Sequence, residues 1–270
     1  MFFTAGEKCF LAFAGVPLEM QFVFETQARD LLRERYGTDN AIVQTTLHTF
    51  GISESALAEL LSGFRIPDNV NLAWLPQTGR VDLRLYGSDP DAVAGAVVDC
   101  LPWIRDFYWG QDEDTPVSVL SAWLKQRGET ISVAESCTGG LVQKMITDLT
   151  GSSEIFSGGV VAYSNALKTT LLRVRAETLE RYGAVSQECA REMAQGIKDL
   201  TDSSVAISVT GVAGPDGGTE LKPVGTVCFV FSFLNEVTGL TQRFSGDRAG
   251  IRHKAAEFAI LHLMKLLQGI

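Results

Sequence analysis

Thr130–Leu149, TISVAESCTGGLVQKMITDL, sets a serine where enzymes often keep a nucleophile. Ile131 and Val133 alternate with Ser132 and Ala134, the two-residue period of a strand. Ser136, Cys137 and Thr138 follow at a turn. Gly139 and Gly140 then open a helix whose Leu141, Val142, Met145, Ile146 and Leu149 share a face, with Gly151 just past its end. Ser136 is therefore predicted at the C-terminal end of a strand, where ligands bind in open α/β sheets. A helix N-terminus beside it suits an anion, and the glycines admit close approach to the backbone. The Gly-Lys-Ser/Thr ending of a Walker loop is missing, and the three-glycine dinucleotide fingerprint is not matched.

Two more predicted strands end in small or polar residues, at Tyr163-Ser164-Asn165 and at Thr210-Gly211. A strand-to-helix junction at Gly246-Asp247-Arg248 makes a fourth such end. Brought to one sheet edge, these would form a cleft with hydroxyls, backbone N–H groups, Lys168 and Arg248. That set suits acyl transfer: a serine nucleophile, a base, an oxyanion hole and a cation for an anionic substrate.

A Ser-His-Asp triad is disfavoured by the three histidines. His48 belongs to an upstream unit, His262 sits on an apolar helix as a packing residue, and His253 lies beside Lys254 on a solvated helix face. Lys168 can serve as base if desolvation or neighbouring positive charge lowers its pKa toward neutral. Ordinary roles are open too: a solvated Lys168, a half-buried strand Tyr163, and an ion pair of Arg248 with Asp247 or Glu257. Cys137 is a rival nucleophile if the helix N-terminus activates its thiolate, or simply a buried cysteine. Glu135, Asp216, Glu220 and Asp247 offer oxygen ligands for Mg²⁺, but their spacing spells no recognisable metal motif, and scattered loop acids are usually solvated.

The elements that must position these residues fit a chain of 270 residues, enough for roughly two domains. A net charge of -9 argues against a nonspecific nucleic-acid surface. Cys9, Cys100, Cys137, Cys189 and Cys228 lie far apart with no CxxC, so neither a zinc ribbon nor a redox pair is indicated. Reduced thiols in a cytoplasmic protein are expected. No apolar run reaches membrane-span length, and Glu7 and Lys8 interrupt the N-terminal apolar segment, so no signal peptide is expected.

Residues 1–37 read as a hairpin turning at Ala5-Gly6-Glu7-Lys8, then a helix from Leu18 to Tyr36. Residues 38–110 read as β-α-β-β-α, a small α+β unit with a hairpin at Pro76-Gln77-Thr78-Gly79. Nine acids, Asp39 among them, oppose four arginines there, and no Gly-x-x-Gly loop of the RNA-clamping kind is present. An interaction or spacer unit is expected. Residues 111–117 read as a polar linker. Residues 118–270 alternate strands and helices, giving an α/β domain in three α/β/α layers around a mixed sheet. Its predicted strands include Gly158–Tyr163, Val205–Val209 and Thr226–Phe233 with Leu240–Phe244 as antiparallel partner, and Ile251–Leu267 is a buried last helix.

The ordered motifs Ala134–Gly140, Tyr163-Ser164-Asn165 with Lys168, Gly183–Ser186, Thr210–Gly218, Lys222–Val227 and Phe244–Arg248 resemble the C-terminal domain of the CinA family of competence/damage-inducible proteins. That domain is also the stand-alone nicotinamide mononucleotide deamidase. The resemblance implies an amidohydrolase that converts nicotinamide mononucleotide to nicotinic acid mononucleotide and ammonia in pyridine-nucleotide salvage. Ser136 would be the nucleophile, Lys168 its base, and Tyr163 an assistant at the reacting centre. Arg248, Thr138, Gly139, Gly140, Asn165, Thr210 and Gly211 would bind substrate. No metal or cofactor is implied, and family members form dimers or larger assemblies. Gly15–Met20 resembles the closing segment of the family's N-terminal molybdopterin-binding-like domain, and Gly51–Ser55 with the hairpin near Gly79 its KH-like middle domain. Most of the N-terminal domain has no counterpart here, so its ADP-ribose pyrophosphatase activity is expected to be missing. The rival expectations are a nucleotide-binding scaffold without turnover, marked by a solvent-facing Lys168, and a metal-dependent nucleotide pyrophosphatase.

Overall fold

A computed structural model describes residues 2–5, 8–37, 42–77, 80–233 and 236–268. Strands β1 (Phe2–Ala5) and β2 (Lys8–Leu11) form the expected antiparallel hairpin; Gly6 and Glu7 of its turn lie outside the described residues. The helix expected from Leu18 to Tyr36 is interrupted. It runs as α1 (Pro17–Val23), a π-helical turn (Phe24–Ala28) and α2 (Arg29–Tyr36), stopped by Gly37 at φ 71°. Of these three segments only Ala28 is buried.

The second unit comprises β3 (Val43–Thr49), α3 (Glu54–Leu60), β4 (Val70–Gln77), β5 (Arg80–Gly87), α4 (Pro90–Ile104) and β6 (Tyr108–Gln111). Ser53 and Asp89 cap its helices by accepting first-turn N–H groups. Its antiparallel sheet has the order β4-β5-β3-β6, over a core that includes Leu47, Leu57, Leu83, Leu85 and Ile104. Asp39, Thr78 and Gly79 lie outside the described residues.

Strand β6 corrects the expected boundary. The sequence pattern ends the unit at Gly110 and starts a linker at Gln111, but Leu47 pairs with Gln111 and His48 with Gly110. Asp112 continues the attachment, donating its N–H to the Thr46 carbonyl at 2.8 Å and accepting the Thr46 N–H on Oδ1 at 2.8 Å. The next helix begins at Pro116 behind a Thr115–Ser118 capping box. The polar stretch is therefore a short corner. A four-residue strand is too short to show a period and is recognised only through its partner.

The remaining elements are α5 (Pro116–Arg127), β7 (Ile131–Glu135), α6 (Leu141–Thr147), β8 (Phe156–Val161), α7 (Asn165–Leu172), α8 (Ala176–Tyr182), α9 (Gln187–Thr201), β9 (Val205–Gly211), β10 (Thr226–Phe233), β11 (Glu236–Arg243) and α10 (Arg248–Gln268). They build the expected mixed sheet, in the order β11-β10-β9-β7-β8. Strand β7 runs parallel to both β8 and β9, while β10 is antiparallel to β9 and β11. Helix α8 is not among the elements expected from the sequence, and β11 begins at Glu236, ahead of the expected Leu240.

Alternation along the buried strands separates two apolar faces. Ile131, Val133, Ile207, Val209, Phe229 and Phe231 pack with α5, α6 and α10. On the other face Ala134, Ala206, Cys228 and Val230 pack with residues of α7 and α9. Burying side chains of the size of Phe229 and Phe231 contributes about 1.5–3 kcal/mol each. The smaller residues let α9 sit close. Gly196 has no room for a side chain, because the Leu172 carbonyl occupies that space.

Candidate active site

The topology decides where the site lies. Helix α6 leaves β7 on the α10 face, and the chain returns from β8 to β9 through α7–α9 on the opposite face. The C-terminal ends of β8, β7 and β9 therefore share one edge, and connections diverge on either side of β7. Ser136 follows β7 there, with its N–H donated to the Val209 carbonyl at 2.8 Å.

Lys168 reaches Ser136 from the next helix. Ser164 caps α7 by accepting the Leu167 N–H at 3.2 Å, which places Lys168 in the first turn on the inward face. Its side chain passes under the serine turn. Nζ lies 3.0 Å from Ser136 Oγ and donates to the Ala162 carbonyl at 2.7 Å. The residue is 1% exposed, and Ser136 is 8% exposed. Burial lowers the lysine pKa, with Cys189 and Cys137 acting weakly in the other direction. The solvated role for Lys168 is thus replaced by a desolvated amine against a hydroxyl, the arrangement in which a neutral amine takes a proton from the nucleophile.

Tyr163 and Arg248 form a second pair at the mouth. Tyr163 is 61% exposed rather than half-buried in a strand, because β8 ends at Val161. Arg248 Nη2 donates to the Tyr163 hydroxyl at 2.9 Å and Nη1 to the Gly214 carbonyl at 2.6 Å. Neither acid expected to pair with it does so: Glu257 bonds Arg80 at 3.0 Å, and Asp247 Oδ1 accepts the Gly250 N–H at 2.8 Å. Among the described residues Arg248 has no carboxylate partner. Its charge is thus turned toward the cleft.

A cavity of about 290 Å³ connects the two pairs. Ser136, Lys168, Tyr163, Asn165, Thr210, Gly211 and Arg248 all line it, together with Ala184, Val185 and residues of the loop that follows Gly211. The Thr210 hydroxyl is already engaged, donating to the Ala184 carbonyl at 2.7 Å. A larger cavity of about 340 Å³ lies between α5, α6 and α10, lined by Met145, Leu149 and His253 among others. Neither Ser136 nor Lys168, Tyr163 or Arg248 lines it.

Thr138, Gly139 and Gly140 do not line the cleft, contrary to expectation. The helix N-terminus they open is occupied by the protein's own anion. Glu135, fully buried at the end of β7, accepts the N–H groups of Gly140 and Gln143 at 2.9 Å each and of Val142 at 3.3 Å. The amides that would hold a ligand anion hold this carboxylate instead. Thr138 is fully buried, and its carbonyl accepts from Arg252 Nη2 at 2.8 Å. The sequence by itself offers Glu135 only as a possible metal ligand and does not single out Arg252. A glutamate at a strand end shortly before a Gly-Gly helix start is the available signal for the first; nothing local marks the second.

Cys137 is buried, and burial foremost pushes its thiol up to about 12, so it is no thiolate at neutral pH. Among the described residues no three His, Cys, Asp or Glu gather to hold a metal ion. His262 stacks on Phe258 at 5.2 Å and burial lowers its pKa. His253 is exposed, and His48 is buried in the second unit against Asp82. No described helix is long and apolar enough to cross a membrane.

Comparison with known proteins supports the motif resemblance. Residues 113–267 match the CinA C-terminal domain and residues 44–101 the damage-inducible protein CinA KH domain. A CinA-like protein of Cytophaga hutchinsonii is 37% identical over 273 residues, covering 98% of this chain and 65% of the relative. A putative competence-damage inducible protein of Bacillus subtilis is 39% identical, covering 97% of this chain and 64% of its own length. The chain thus spans just under two thirds of these relatives. Among solved structures, a competence-damaged protein (CinA) superfamily protein of Escherichia coli is 33% identical with a TM-score of 0.55, covering 56% of this chain and 88% of that one. A competence/damage inducible protein of Agrobacterium tumefaciens is 35% identical at the same TM-score, covering 57% and 93%. With a matching family model over more than half its length, and the strand-end residues of that family's motifs assembled in one cleft, the chain belongs to the CinA family.

Proposed function

We propose that this protein hydrolyses the carboxamide of nicotinamide mononucleotide to nicotinic acid mononucleotide and ammonia. The observation that carries the reading is the buried 3.0 Å approach of Lys168 Nζ to Ser136 Oγ. Neutral Lys168 takes the hydroxyl proton as Oγ bonds to the carboxamide carbon. The ammonium so formed returns that proton to the departing nitrogen as the C–N bond breaks, and ammonia leaves. The acyl-enzyme is then opened by water, with Lys168 again accepting the proton and restoring it to Oγ. Proton transfer of this kind contributes roughly 10²–10⁴-fold. Arg248, held by Tyr163 and Gly214, offers a cation at the mouth for the substrate's phosphate.

The buried lysine speaks against a scaffold that merely holds a nucleotide, and the scatter of acids among the described residues against a metal-dependent pyrophosphatase. We read the active form as a cytoplasmic homo-oligomer acting on a small nucleotide rather than on nucleic acid, in keeping with the family resemblance and the acidic charge of -9. The test is ammonia release from nicotinamide mononucleotide in the presence of chelator, for wild type and Ser136→Ala. Release that disappears in the variant supports a metal-free serine amidase. If wild type releases none, the deamidase reading fails and binding without turnover is examined next.

A further inference from the structure

The geometry points to Arg252 as a positioning residue that holds the nucleophile turn in register with its base; this rests on the reading of Ser136 as nucleophile. Arg252 lies one helical turn after Arg248 on α10, on the same side of the helix. Arg248 secures Tyr163 and the Gly214 loop, while Arg252 Nη2 donates to the Thr138 carbonyl at 2.8 Å. Its guanidinium lies against Gly139, where a Cβ would come within 2.9 Å of Nη2. Gly139 stands at φ 62° and donates its N–H to the Ser136 carbonyl at 3.1 Å. The turn carrying Ser136 is thus held from two sides, by the Glu135 carboxylate on the α6 amides and by Arg252 on Thr138.

A planar fork packed on a glycine is not reproduced by lysine, and misplacing a reacting atom by about 1 Å costs up to 10²-fold. Arg252 touches neither the cavity nor the Ser136–Lys168 pair. Its loss is therefore read in the rate, not in substrate affinity or in the titration of Lys168.

The experiment compares Arg252→Met and Arg252→Lys with wild type in the full chain. Two readouts are used: steady-state ammonia release from nicotinamide mononucleotide, and the rate at which phenylmethanesulfonyl fluoride modifies Ser136, followed by intact mass with Ser136→Ala as blank. In the second, Oγ bonds to sulfur, fluoride leaves and Lys168 takes the proton, so no natural substrate is needed. Arg252→Met should slow both by about tenfold or more, with KM within about twofold of wild type, the pH midpoint unmoved, and Arg252→Lys in between. Rates within twofold of wild type in both variants overturn the assignment. If Arg252→Met does not fold, Arg252→Lys decides alone: a slower rate supports and parity overturns. A wild type that is modified at Ser136 but releases no ammonia refutes the deamidase reading while the modification rates still decide Arg252. A wild type that does neither removes the nucleophile and the assignment with it.

Discussion

Glu135 Oε2 accepts the Gly140 N–H at 2.9 Å, across the turn that carries Ser136. The buried carboxylate thereby closes the loop between the last residue of β7 and the first turn of α6. With Gln143 and Val142 it satisfies three amides that have no partner within the helix.

This relationship predicts the effect of Glu135→Gln. The amide would turn N–H donors toward backbone N–H donors, leaving buried groups unpaired, at a cost of about 1–3 kcal/mol. The urea midpoint should fall accordingly and turnover should fall with it, since the serine turn loses its anchor. An unchanged midpoint would show that the carboxylate is not what caps α6.

Lys168 predicts the pH profile. Its pKa is lowered by burial, and only the neutral amine can accept the Ser136 proton, so kcat/KM should rise with pH through the lowered value and then level. Lys168→Arg, charged throughout this range, should abolish turnover while retaining a cation. A profile flat from pH 6 to 10, taken as roughly the accessible window, would sink the lysine base.

Arg248 predicts a split between binding and rate. Arg248→Met should raise KM for nicotinamide mononucleotide by about tenfold or more, the worth of one charge-assisted hydrogen bond or ion pair. The corresponding nucleoside, lacking the phosphate, should be affected far less. Tyr163→Phe should give a smaller rise in the same direction, because the tyrosine hydroxyl orients the guanidinium. Equal losses for nucleotide and nucleoside would remove Arg248 from phosphate binding.

His48 predicts a pH-dependent stability unrelated to catalysis. Its Nδ1 lies 3.1 Å from Asp82 Oδ2 and its Nε2 2.9 Å from the Asp112 carbonyl, so both nitrogens face acceptors. Burial alone would lower its pKa. The hydrogen bonds to Asp82 and Asp112, with the charge of Asp82, outweigh burial and the opposing Arg80 and raise it above 6.5. The folded state therefore holds the proton at pH values where the unfolded chain has released it. This stabilisation is complete below about 6.5 and is lost as pH rises through the raised value. The difference in urea midpoint between wild type and His48→Gln should shrink as pH is raised, and a constant difference would exclude an imidazolium at this position.

The strand-turn-helix around Ser136, the buried strands of the mixed sheet and the apolar last helix are all legible in the sequence, because alternation and helical spacing record which face of a local element meets the core. The polar strand ends are legible too, and they are the ends that meet. What the sequence does not decide is which side chains are buried by distant partners. Lys168 is 32 positions from Ser136, and nothing in its own helix distinguishes a solvated lysine from one enclosed beneath a serine turn. Glu135 takes the place of the expected ligand anion because its carboxylate folds back onto the amides five to eight residues ahead. That closure leaves Thr138, Gly139 and Gly140 behind the cleft. Arg252 reaches Thr138 across 114 positions, and β6 is a strand only because β3 lies beside it. Local pattern determined the elements and their ends. The tertiary structure decided which charges lose water, and so which of the candidate residues are set for chemistry.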